Sequence, residues 1–184
     1  MHFSMKLAAL CAAGGTAVLV LAGTPALASS HASAKTRTGP EVISGMLTGK
    51  AALVKAPKVP VTFVGLVSAR GVVNLGGGSS KMHTLSSSAG KFTVLATGKQ
   101  SSQTVNKKTC QFTFTQDVTY NVVGSKSTGA FAGASGPGAA QIYFAAFEPR
   151  FKSGPHKGQC NGKAPPLAKG AVASFLASTV LTVK

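Results

Sequence analysis

Cys110-Gln-Phe-Thr-Phe-Thr-Gln-Asp-Val-Thr-Tyr-Asn-Val-Val123 is the stretch that decides the fold. Cys110, Phe112, Phe114, Val118, Tyr120 and Val122 share one face, with Gln116 the exception. Gln111, Thr113, Thr115, Asp117, Thr119 and Asn121 share the other. A period of two is the signature of a half-buried β-strand. The run is well beyond the ~5–6 residues of an ordinary strand. That length points to a barrel or a large curved sheet.

Segments of β type extend on both sides of it. Upstream, Val42 to Val54 alternates loosely and Ala56-Pro57-Lys58-Val59-Pro60 punctuates its end. Val61 to Leu75 is rich in Val, Phe and Leu, and a turn at Ala69-Arg70-Gly71 would divide it into two strands. A flexible turn is expected at Gly76–Ser80, followed by strands over Met82–Leu85 and Lys91–Thr97. Downstream, Ala139–Phe147 and Ala171–Val183 are apolar or small on both faces, as in strands covered on both sides. An amphipathic helix competes for the last segment, but its β-branched end favours strand. Between them Pro149 to Lys169, which holds Pro155, Pro165, Pro166 and four lysines, reads as a long exposed loop.

Composition narrows the function. The 184 residues carry 19 Lys+Arg against 3 Asp+Glu, a formal charge of +16, with 44% apolar residues. The three carboxylates, Glu41, Asp117 and Glu148, exclude multi-carboxylate Ca²⁺ loops and disfavour a two-carboxylate glycosidase site. Residues 1–28 read as a secretory signal peptide. Lys6 precedes an apolar run from Leu7 to Leu21, Thr24-Pro25 breaks it, and Ala26-Leu27-Ala28 is a small-x-small cleavage pattern with Ala34 as the alternative. The competing reading is an uncleaved anchor helix, for which the run is marginal in length. Residues 29–40 then form a flexible basic arm, and 41–184 a single domain. Loss of the leader removes Lys6 and Cys11, leaving a charge one unit below +16 and two cysteines. An even count in an exported chain implies a Cys110–Cys160 disulfide. The mature chain holds no transmembrane segment.

The densest motif is Gly124-Ser-Lys-Ser-Thr-Gly-Ala-Phe-Ala-Gly-Ala-Ser-Gly-Pro-Gly138. A phosphate-cradling loop needs a helix after it, and here a strand follows. The structural reading is a turn in which Gly129, Gly133 and Gly136 permit tight backbone while Phe131 plugs one end of the β-structure. The run from Thr128 to Gly136 resembles the T-G-x-F-x-x-A-x-G turn of allene oxide cyclase-like and dirigent-like β-barrels over about 25 residues, Tyr120 to Phe144. The resemblance implies an eight-stranded antiparallel barrel and transfers no catalytic residue. The fold class expected is therefore all-β, an antiparallel barrel of about eight strands.

Catalytic and metal chemistry find little support. The histidines beyond the leader, His31, His83 and His156, read as solvated surface groups, and no G-x-S-x-G elbow exists. Asp117 is either an interior acid or, the favoured reading, the partner of a surface Lys or Arg. No paired metal-ligand spacing supports zinc at His83, Cys110, His156 and Cys160, so neither metal nor cofactor is expected. Two functions remain. The first is a secreted, non-enzymatic barrel whose basic surface, with Lys152, Lys157, Lys163 and Lys169, meets a polyanion: a cell-wall polymer, acidic lipid headgroups or nucleic acid. The alternative is a barrel that binds, or isomerises, a small apolar ligand in its interior. An open cavity would favour the second and a filled interior would disfavour it.

Overall fold

A computed structural model describes residues 35–75 and 81–184. The expected signal peptide, residues 29–34 of the arm and the Gly76–Ser80 turn lie outside the described residues. Eight strands follow one another: β1 Arg37–Thr48, β2 Lys58–Gly65, β3 Ala69–Asn74, β4 Met82–Ser87, β5 Gly90–Asn106, β6 Gln111–Val122, β7 Pro137–Phe147 and β8 Leu167–Val183. Each pairs antiparallel with the next, and β8 pairs with β1, so the sheet is a closed barrel in chain order. Among the described residues no helix is long and apolar enough to cross a membrane.

Several boundaries differ from the sequence expectation. Arg37–Pro40, expected in the arm, instead opens β1 and pairs with Val183–Val180. Lys58–Pro60, expected as punctuation, begins β2 and pairs with Asn74–Val72. The turn between β2 and β3 falls at residues 66–68, not at Ala69-Arg70-Gly71. The largest difference is in β5, which runs on through Gly98–Asn106. That stretch has little apolar content, and pairing with β6 from Thr119 to Gln111 makes it a strand. Leu167–Lys169 likewise leave the expected loop to start β8.

Because connections alternate between the ends of an up-and-down barrel, its two ends are built differently. One gathers the β2–β3, β4–β5 and β6–β7 connections with the start of β1 and the end of β8. This end is plugged. Phe131, fully buried, packs its ring 5.3 Å from Phe63 and 5.2 Å from Phe92. The turn that delivers it needs glycine. At Gly129 φ is +63°, and a Cβ would stand 2.1 Å from the Ala89 carbonyl oxygen. At Gly136 a Cβ would stand 2.0 Å from the Val180 carbonyl oxygen. Gly133 also has a positive φ, +68°. Such contacts and angles exclude side chains and admit a closely folded backbone. Ile43, Val61, Leu85 and Leu181 complete the core behind the plug.

The opposite end gathers the β1–β2, β3–β4, β5–β6 and β7–β8 connections. There the strands are unequal: β3 and β4 have 6 residues each, whereas β5 has 17 and β6 has 12. The β5–β6 hairpin therefore overhangs its short neighbours. On the far side a 3-10 turn over Gly49–Leu53 lays Ala52 onto Ala146, Ala171 and Ala173. The inward face of β6 grades with this geometry. Tyr120 and Val122 are buried, while Phe112, Phe114 and Val118 are half-buried.

Candidate functional site: an interior cavity with a basic mouth

Eight strands enclose an interior just wide enough for side chains to fill or for one small ligand. Here the plug fills one half and small residues leave the other half hollow. A cavity of about 510 Å³ lies between β1, β3, β4, β5, β6, β7 and β8. Its apolar wall is formed by Ile43, Leu85, Phe92, Val118, Ile142 and Phe175, with Ala96, Ala140 and Ala177 supplying the room. The volume falls within the ~300–1,000 Å³ range of small-molecule sites.

Polar groups sit where the cavity meets the short strands. Lys81, His83 and Leu85 follow the same alternation, so His83 shares the inward face with buried Leu85. Lys99 reaches the same space because of a bulge. Ala96 opposes Tyr120 and Gly98 opposes Thr119, leaving Thr97 as the extra residue. Beyond it Lys99 opposes Val118 and takes the inward face that Gly98 would otherwise hold. Lys81 and Lys99 are solvent-exposed at the rim and His83 is half-buried. The residues lining the cavity include no Asp or Glu. The result is an apolar chamber with a positive, acid-free mouth.

Tyr120 stands on the wall with its hydroxyl donating to the Ser178 carbonyl oxygen at 3.3 Å. Its ring lies over Gly138, where a Cβ would be 2.4 Å from Cζ. Burial pushes the phenol up to about 12, so at neutral pH it is a neutral donor and not a base.

The other carboxylates and histidines of the domain take different places. Asp117 is on the outer wall and accepts a bond from Gln141 Nε2 at 2.9 Å, an amide instead of the expected cation. His156 pairs Nδ1 with Gln159 Oε1 at 3.2 Å in the loop. His83, read from sequence as a solvated surface group, is a cavity residue. Glu41, which the sequence reading gave no role, is fully buried near the plugged end, where Oε2 accepts the Val67 N–H at 3.0 Å. Desolvation raises its pKa above the ordinary 4.5, opposed by the Val67 and Leu66 N–H groups.

Cys110 and Cys160 form a disulfide with Cα atoms 5.3 Å apart. It ties the β5–β6 turn to the loop between β7 and β8. Of the four loop lysines, Lys152 and Lys157 lie on the excursion closed by the Phe151–Gln159 and Gly158–Phe151 backbone bonds. Lys163 follows the disulfide, its N–H donating to Asn161 Oδ1. Lys169 stands apart from them, in β8. Lys81, His83 and Lys99 were the functional candidates missed in sequence. The alternation of His83 with Leu85 was a signal for one of them, but the bulge that turns Lys99 inward leaves no mark in composition.

Comparison with protein-family profiles, with curated proteins and with solved structures finds no match for this chain.

Proposed function

We propose that the protein is a secreted, disulfide-bonded barrel that binds a small, mostly apolar molecule bearing an acidic group in its interior, with the kinship to allene oxide cyclase-like and dirigent-like barrels as a companion proposal. The single observation that carries the reading is the hollow half of the barrel, apolar within and basic at its mouth. Apolar walls favour burial of a hydrocarbon body at ~25 cal/mol per Å². Lys81 and Lys99, with no carboxylate among the lining residues, favour an anionic end left at the rim. The disulfide supports the extracellular part of the reading, since such bonds persist in oxidising compartments.

Calorimetric titration with dodecanoate and with dodecanol, its uncharged analogue, tests this. Dodecanoate is expected to bind saturably, one per chain, and more tightly than the alcohol. Ala140→Leu, which fills the cavity from its wall, should abolish both. Lys81→Gln with Lys99→Gln should weaken the acid about five-fold per lysine, the ~1 kcal/mol of an exposed ion pair, and leave the alcohol unchanged. Absence of saturable binding, or binding indifferent to Ala140→Leu, would refute the interior site.

A further inference from the structure

Seven cations lie in two segments distant in sequence, Lys107-Lys108 in the β5–β6 turn and five more between Arg150 and Lys169. The covalent and hydrogen-bonded framework of the open end brings most of them onto one surface. The disulfide joins Cys110 to Cys160, and Cys160 Sγ lies 3.3 Å from the Lys107 carbonyl oxygen. The Arg150 guanidinium donates to the carbonyls of Lys108 and of Gly158, clamping turn to loop. Glu148 N–H donates to the Cys110 carbonyl at 2.8 Å, and Arg150 bridges to Cys160 in the backbone. Lys107, Lys108, Arg150, Lys152 and Lys157 are all solvent-exposed on this unit.

The arrangement runs against electrostatics. Arg150 is neutralised by no carboxylate in these bonds, because both of its partners are carbonyls. Of the three acidic residues in the chain, Glu41 is buried near the plugged end and Asp117 is engaged with Gln141, which leaves Glu148 alone on this unit. Cations held together against mutual repulsion gain most from a ligand that neutralises several at once. Lysine ammonium groups suit phosphate as point charges. The one phenylalanine of the loop, Phe151, is half-buried and packs on His156 with centroids 5.7 Å apart, so its face on that side is taken and not open to stack a base.

We infer that the disulfide-clamped turn and loop form a docking surface for a linear phosphate-bearing polymer without bases, independent of the interior cavity. Inorganic polyphosphate is the probe, its binding followed by fluorescence anisotropy as salt is raised. Changing Lys107, Lys108, Lys152 and Lys157 to Gln should reduce affinity at least tenfold and flatten the salt dependence by about three units of log–log slope, ~0.7 for each lost contact. Changing Arg70, Lys91, Lys126 and Lys184 to Gln removes the same charge from the plugged end and should cost far less. Equal losses would reduce the effect to net charge and overturn the surface. Tighter binding of single-stranded DNA with the same phosphate number, or of phosphatidylglycerol vesicles, would overturn the choice of partner. Cys110→Ser with Cys160→Ser, the barrel verified by circular dichroism, should weaken polyphosphate several-fold with every lysine intact. Unchanged affinity there would refute assembly by the disulfide, and if that variant unfolds the two lysine sets still decide the surface.

Discussion

Two side chains at the plugged end show how much a single residue decides. Phe131 reaches the core only because Gly129 and Gly136 let the backbone pass within contact of β4–β5 and β8. Removing its ring leaves a void between Phe63 and Phe92 that neither can fill from a strand. Phe131→Ala is expected to cost ~3–5 kcal/mol in urea unfolding. Glu41 works in the other direction. Burial raises its pKa in the folded state, so folding takes up a proton there. Its contribution is full below the ordinary carboxylate value of 4.5 and declines as pH rises through the folded value. Stability should therefore fall from acid toward neutral pH relative to Glu41→Gln, whose amide still accepts the Val67 N–H. Asp117 and Glu148 are common to both proteins and cancel in the comparison. A constant difference between the two across pH 4 to 8 would remove Glu41 as the cause.

Among the elements, β6 was legible and the second half of β5 was not, and the contrast has a physical reason. Residues 110–123 alternate because one face meets a core. Residues 98–106, Gly-Lys-Gln-Ser-Ser-Gln-Thr-Val-Asn, overhang the short strands, where little lies above them to bury. Their strand character comes from β6 alone, and no periodicity is needed for that. The same overhang explains why Lys99 escaped notice: it is polar in a polar run, and the Thr97 bulge sets its direction. The Phe131 plug, by contrast, could be read from glycines spaced around one aromatic residue. The β7–β8 loop, read as long and exposed, has its own backbone bonds and the disulfide to hold it. That bridge closes a sequence separation of 50 residues, for which chain entropy gives about 4 kcal/mol. Cys110→Ser with Cys160→Ser should lower the unfolding free energy by roughly that amount. A loss below 1 kcal/mol would mean that Arg150 and the loop's hydrogen bonds hold the segment without help.

At the scale of the whole molecule, the barrel is asymmetric along its axis. One end is sealed by aromatic rings and the other is hollow, cationic and flanked by the clamped loop, so both proposed ligands are met from the same side. A ligand acid at the cavity mouth and a polymer on the loop would feel each other's charge only across the solvent between them, and salt would screen that coupling over ~8 Å at physiological strength. The closure of the sheet has a consequence of another kind. The seam between β1 and β8 runs the length of β1, from Arg37 to Thr48. A chain is made from its amino end, so β1 is synthesised first and its seam partner last of the eight. Throughout that interval β1 and then β7 each present a row of unsatisfied amides and carbonyls, the template for pairing with other chains. Long-range pairing of this sort is slow and exposed to aggregation. Truncation within β8 would therefore yield an open sheet with two sticky margins, not a slightly smaller barrel.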